Sequence, residues 1–333
     1  MAHHRDSEVT GESTVPADLA ARAAAVVGDH KLGQLTNGEP FLALSDDASV
    51  LSCLSDRGIA GSPWSPALAL TDDSNVVLVM CHRKADRSLR AQFANCRVLF
   101  VPIVAFDDDP DTVVYTVERI LETDFQAGLE QNEAWLEMLR NKSDGVLHFT
   151  GPGTDLRCRI GDDIQVFTSV DLTIATGEWV SVADYCEVQL TAPKIGSWCD
   201  AFVVDGYAET VGVLAAQDAR ATPAGEERVA RARRLRAELV ENGPVRLEIR
   251  ESALCSATAG DREYLEEISE VTNPDYGMHL TEFGLGSNTS IGPSVRWRLN
   301  SQLNEGAGTF HLGLGEGTTG AHMDFVVASA RVE

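Results

Sequence analysis

The chain has 333 residues, 44% of them hydrophobic, and sets 51 acidic against 27 basic residues for a formal charge of −24. That apolar fraction supports a packed core and excludes a disordered chain, while the acidic excess repels phosphate backbones and anionic lipid, so neither nucleic acid nor a membrane is an expected partner. Seven scattered cysteines without C-x-x-C spacing exclude a zinc finger or disulfide framework; with no apolar leader and no run of 18 apolar residues, they point to a cytoplasmic protein with reduced thiols.

Residues 1–14 read as a disordered tail, with His3 and His4 solvated. Pro16 opens an Ala-rich helix from Ala17 to Val27, which Gly28 stops. Asn75 to Met80 and Arg97 to Val104 are continuous apolar runs that suit strands covered on both faces. The acidic stretch Asp107–Thr112 predicts a loop and N-cap, followed by a helix from Val113 to about Leu121 and another over Asn132–Leu139. Strand and helix alternate here, which predicts an N-terminal α/β domain with a parallel sheet over residues 15–145.

Residues 146–333 read as a β-rich α+β domain. Val146 to Ile160 and Asp163 to Thr168 alternate around Gly and Asp turns in hairpin fashion. Two helices interrupt the strands. The first spans Glu226 to Val240, with Val229, Ala232, Leu235 and Leu239 inward and Arg228, Arg231, Arg233, Arg234 and Arg236 on a solvated outer face. The second spans Asp261 to Ile268 around Tyr264, Leu265 and Ile268. Trp179, Trp198 and Phe202 read as core side chains, and Cys186 and Cys199 have no neighbour that would activate a thiol.

Chemistry concentrates near the C-terminus. In an extended strand alternate side chains share a face, so His322 and Asp324 project together and Met323 turns away. His311 lies in Thr309-Phe-His-Leu-Gly-Leu-Gly, whose glycines leave room for a close neighbour. Earlier, Glu187 sits on a Val- and Leu-flanked strand pattern, where an acidic residue needs a partner. His279, Glu282 and Glu305 complete the set of candidate ligands.

These segments together resemble the metallo-aminopeptidases of the aminopeptidase T and aminopeptidase S type, with their relatives that open 2,5-dihydroxypyridine. The resemblance lies in Gly153-Thr-Asp-Leu156, in Cys186-Glu187-Val188 followed by Ala192-Pro193, in Glu282-Phe-Gly-Leu-Gly-Ser-Asn288, and in Glu305, Gly308-Thr-Phe-His311 and His322-Met-Asp324. It implies a C-terminal domain like the aminopeptidase T catalytic domain, a homodimer, and a peptide or amino-acid-derived substrate. It also implies divalent metal (Zn, Co or Mn) on Glu187, Glu282, Glu305, His311, His322 and Asp324, with Glu282 as ligand or general base in hydrolysis.

Three departures from the family pattern open alternatives. Only ten residues separate His311 from His322, the tyrosine expected soon after His311 is replaced by Glu316-Gly-Thr-Thr319, and the chain is short. Asn304 and Gly306 also stand where the family has Asp and Lys. One alternative is a peptide-binding or peptide-tailoring protein of a ribosomal peptide natural product pathway, lacking conventional peptidase activity and, if the site is degenerate, metal. The other is a ring-cleaving dioxygenase with Fe(II) on His279, His322 and Asp324.

Overall fold

The computed structural model describes residues 31–68, 70–141, 145–192, 201–272 and 278–333. The expected tail, the helix from Ala17 to Val27, and Pro193, Trp198 and Cys199 lie outside them. No helix among the described residues is long and apolar enough to cross a membrane.

The N-terminal half is a parallel sheet with helices. Strands β1 (Leu42–Ser45), β2 (Gly61–Pro63), β3 (Asn75–Val79) and β4 (Arg97–Val101) pair in the order β2-β1-β3-β4. In β3 and β4 every residue after the first is buried, the physical reason for their unbroken apolar runs. The second run stops short of the expected Val104, because Pro102 has no N–H to give a ladder and a 3₁₀ turn over Ile103–Ala105 follows it. Helices α1 (Ala48–Asp56) and α2 (Arg87–Gln92) start at the N-caps Asp47 and Asp86. Helix α3 (Pro110–Glu122) starts earlier than expected: the Asp109 carboxylate accepts from the amides of Asp111 and Thr112, and Pro110 fits the first turn. Helix α4 (Phe125–Asn141) follows directly.

The remaining chain is mostly antiparallel. Its strands are β5 (Val146–Gly151), β6 (Thr154–Ile160), β7 (Gln165–Phe167), β8 (Trp179–Ser181), β9 (Glu187–Thr191), β10 (Phe202–Thr210) and β11 (Gly212–Ala216). After helix α5 (Pro223–Glu241) come β12 (Val245–Arg250), β13 (Ala253–Ala259) and β14 (Arg262–Glu263), helix α6 (Leu265–Val271), then β15 (Leu280–Gly286), β16 (Phe310–Leu314), β17 (His322–Val327) and β18 (Arg331–Val332). Strand β8 joins the parallel sheet beside β4. The others form a seven-stranded sheet, β14-β13-β12-β10-β6-β5-β18, and a six-stranded sheet, β11-β17-β16-β15-β9-β7.

Two expectations need correction here. Arg262 and Glu263 pair with β13 instead of opening a helix, because the Glu263 carboxylate accepts from the amides of Ala257 and Leu265; α6 therefore begins only at Leu265. Nor is the arginine face of α5 wholly solvated. Arg236 is buried, donating through Nε to the Val213 carbonyl (2.8 Å) and through a terminal nitrogen to the Trp297 carbonyl (3.0 Å), while Arg233 pairs with Asp107 at 3.2 Å. The carbonyls of Val213 on β11 and of Trp297, and a carboxylate after β4, outcompete water for these guanidinium groups.

The two antiparallel sheets pack against each other. Phe149 of β5 meets Phe283 of β15 and Phe310 of β16, with ring centroids 5.4 Å and 4.6 Å away, and all three are buried. Burying each such ring contributes roughly 2–3 kcal/mol. Val188, Leu190, Leu312 and Phe325 extend this core, so the residues between them must face the opposite side of the six-stranded sheet. That opposite face is roofed by a 3₁₀ turn over Gln302–Ala307 and by the chain leaving β4.

Candidate metal centre

Strand alternation places Glu187 on β9, Glu282 on β15, His311 on β16, and His322 and Asp324 on β17, all on the face turned away from the aromatic core. A bulge makes this possible for Glu282. Leu280 and Glu282 would share a face in a regular strand, but the register shifts between them, and Thr281 turns its hydroxyl to the Gly315 carbonyl (2.6 Å). Leu280 stays in the core and Glu282 reaches the opposite side.

Two glycines make the room. A Cβ at Gly284, opposite His311, would lie 1.9 Å from the imidazole, and one at Gly313 would lie 2.8 Å from both Glu282 and His322. The imidazoles therefore lie flat over neighbouring strands. His311 Nε2 is 3.0 Å from Glu282 Oε1, its Nδ1 is 3.7 Å from Glu187 Oε2, and His322 Nε2 is 2.9 Å from Asp324 Oδ1 and 3.5 Å from Glu282 Oε2. Glu305 descends from the 3₁₀ turn, buried, against Asp324. One atom each from Glu282, His322 and Asp324 lies within 4.8 Å of the others.

The electrostatics follow from burial and crowding. Burial raises the Glu187 carboxyl to about 8, opposed by His311 and reinforced by Glu282 and Asp324. Burial, then the charges of Asp324, Glu187 and Glu282, hold Glu305 well above the ordinary carboxylate range. Burial disfavours charge on His311, yet its bond to Glu282 and the charges of Glu187 and Asp324 lift it to about 9. His322 rises against burial to about 10, driven by Asp324 and then Glu282. Asp324 is lowered: burial works against its charge, and His322 and His311 overcome it.

This donor set fits a divalent cation. Glu187 Oε2, His311 Nδ1 and both Asp324 oxygens are buried without a hydrogen-bond partner, and the 2.9 Å approach of His322 to Asp324 lacks hydrogen-bond geometry. His322 Nδ1 is 3.0 Å from the Gly315 carbonyl, which fixes the tautomer that leaves Nε2 free to ligate. Without a cation, burial and crowding push Glu187 and Glu305 toward their neutral forms; a divalent cation would let these carboxylates ionise beside Glu282 and Asp324.

His279 does not join this cluster. It is exposed and bridges to Ala253 of the seven-stranded sheet, ahead of the bulge that turns Glu282 inward, so His279, His322 and Asp324 do not assemble as a triad. Asn304 is structural: buried, it donates to the Leu299 carbonyl and accepts from the Tyr115 hydroxyl. Trp179 packs on Phe93 and Phe100, Phe202 is core, and burial raises the Cys186 thiol far above its ordinary range.

A cavity of about 270 Å³ opens over Glu282, Glu305 and His322. Pro102, Ala105 and Phe106, from the end of the parallel sheet, form one wall, and Gln189, Gln302 and Asp218 contribute polar groups to others. Sequence reasoning passed over the three glutamines of the lining, Gln189, Gln217 and Gln302. Gln189 was accessible to it, since it shares a strand face with Glu187, whose Oε1 accepts from its Nε2 at 2.8 Å. Phe106 and Asp218 carried no local signal, because only tertiary packing brings them there.

Among solved structures the chain is similar to 2,5-dihydroxypyridine dioxygenase from Pseudomonas putida KT2440, at 14% identity over 88% of this chain and 87% of that one, with a TM-score of 0.47. It is also similar to wild-type AmpT from Thermus thermophilus, at 14% identity over 91% of this chain and 93% of that one, with a TM-score of 0.46. No curated protein matches. The family differs from the aminopeptidase family that the motifs suggested: residues 38–333 match the family described as crocagin biosynthetic protein CgnE/B, and the chain belongs to it.

Proposed function

We propose that this is a peptide-binding or peptide-tailoring protein of a biosynthetic pathway, holding its peptide in the cavity over Glu282, Glu305 and His322, without conventional peptidase activity. One observation carries this reading. The described residues lining the cavity include acids and three glutamines but no Tyr, Lys or Arg, so no phenol, ammonium or guanidinium group faces a carbonyl under attack. The cavity suits a peptide residue better than it suits rapid amide hydrolysis. Membership of a biosynthetic family supports the same reading.

The buried oxygens of Asp324, which make no hydrogen bond of good geometry, favour a second reading, metal-dependent hydrolysis. A divalent ion held by Glu282, His322 and Asp324, with Glu187 and His311 beside them, would supply Lewis acidity and a more acidic water. Glu305, facing both Asp324 and the cavity, is placed to hold a proton there. Incubating the protein and a defined peptide mixture with Zn, Co or Mn, then reading products by mass spectrometry, separates the two. The first reading predicts that peptides bind and are recovered without N-terminal shortening; shortened peptides that disappear with His322→Ala would establish the second instead.

A further inference from the structure

The six candidate ligands do not stand alike around the cavity. Glu282, Glu305 and His322 line it, and Asp324 lies against His322 at 2.9 Å. Glu187 and His311 are buried and do not line it, whereas Gln189, one strand position on from Glu187's neighbour, does. Among the described residues, Glu282, His322 and Asp324 bring ligand atoms within 4.8 Å of one another, and no second group of three His, Cys, Asp or Glu side chains does so.

Glu187 and His311 instead form a chain of contacts that ends on Glu282. Gln189 Nε2 donates to Glu187 Oε1 at 2.8 Å, and the other oxygen of Glu187 faces His311 Nδ1 at 3.7 Å. His311 Nε2 lies 3.0 Å from Glu282 Oε1 in hydrogen-bond geometry. The ring is pressed over Gly284, where an added Cβ would come within 2.6 Å of both nitrogens, so each nitrogen is directed along the ring plane at a carboxylate. Glu282 is divided as a result: Oε1 accepts from His311, while Oε2 turns to His322 at 3.5 Å.

We infer that the chain holds a single divalent cation, on Glu282, His322 and Asp324, and that Gln189, Glu187 and His311 are positioning residues that aim Glu282 at it. The inference rests on the metal-dependent reading and is independent of what the cavity does with a peptide. Both oxygens of Asp324 are buried and make no hydrogen bond of good geometry, which an acidic cluster stable without an ion would not leave so. A carboxylate that ligates through one oxygen is fixed by a hydrogen bond to the other, and an imidazole backed by a second carboxylate supplies that bond. A second cation between Glu187 and His311 would find too few protein donors to hold it, even in an open site.

The full chain, stripped with chelator, is titrated with Zn(II) or Co(II), and bound ions are counted by native mass spectrometry. One ion per chain is expected, and none in Asp324→Ala. His311→Gln and Gln189→Leu leave the three ligands in place, so each should still bind one ion, about tenfold to a hundredfold more weakly, with the visible spectrum of the cobalt form unchanged. A role in folding alone would lower the melting temperature of the ion-free variants and leave their ion affinity as in wild type. Two ions per chain, or a cobalt spectrum that His311→Gln shifts as His322→Gln does, would make His311 a ligand and overturn the inference. Wild-type affinity in both His311→Gln and Gln189→Leu overturns the positioning role. The count on the wild-type chain needs no variant, so it decides even where His311→Gln does not fold. No bound ion at all removes the inference together with the metal-dependent reading and leaves peptide binding standing.

Discussion

At the scale of single residues, the site depends on what is absent at 284 and 313 as much as on the side chains that meet there. His311 can lie across β15 only because Gly284 has no side chain, and an added Cβ would sit 1.9 Å from the ring. Gly284→Ala should therefore displace His311 from Glu282 and destabilise the fold by about 1–3 kcal/mol, as overpacking does. Thermal denaturation reads the loss. Wild-type stability in Gly284→Ala would mean that the ring does not pack there. The His-x-Asp alternation and the glycines around His311 were legible in the sequence because they are local. The exclusion of His279 was not, since it depends on a bulge and a bridge to a strand more than 20 residues earlier.

At the scale of elements, helix ends follow local rules and sheet membership does not. Asp109-Pro110 and Thr222-Pro223 start α3 and α5 earlier than apolar periodicity suggests, because a capping side chain and a proline in the first turn decide the start. By contrast, nothing local places β8 in the parallel sheet or buries Arg236; both depend on partners far away in the chain. The start of helix α4 offers a test of charge. Asp124 accepts from the Ala127 amide at 3.2 Å, and its hydrogen bond with Lys31, then those from Gln34 and Ala127, hold its pKa below the ordinary value against burial. A lowered folded-state pKa stabilises above the unfolded value and ceases to do so as pH falls through the folded one. Asp124→Asn keeps a capping oxygen and removes the charge, so it should cost about 0.5 kcal/mol near pH 7, and the gap from wild type should close below about pH 4 in denaturant titrations. A gap constant down to pH 3 would remove the charge from the account.

At the scale of the whole molecule, two of the three sheets build the cavity: the six-stranded sheet supplies the floor, and the chain leaving the parallel sheet supplies a wall through Pro102, Ala105 and Phe106. Asn300 ties these parts together, donating to Asp107 (3.1 Å) and to the Ala215 carbonyl (2.9 Å), while Gln217 donates its amide to the Ala105 carbonyl (2.8 Å). The α/β start and the β-rich continuation were readable from apolar runs and alternation. The cavity between them was not, because its walls come from segments more than 80 residues apart whose side chains are ordinary in sequence. Where a bound peptide sits is therefore the direct test of the central claim. Peptides selected for binding, remade with a photoreactive diazirine residue and crosslinked to the wild-type chain, should label residues 102–106, Gln189 and the 302–305 turn. Labels confined to the outer face of the seven-stranded sheet, around Tyr207 and Arg246, would contradict it.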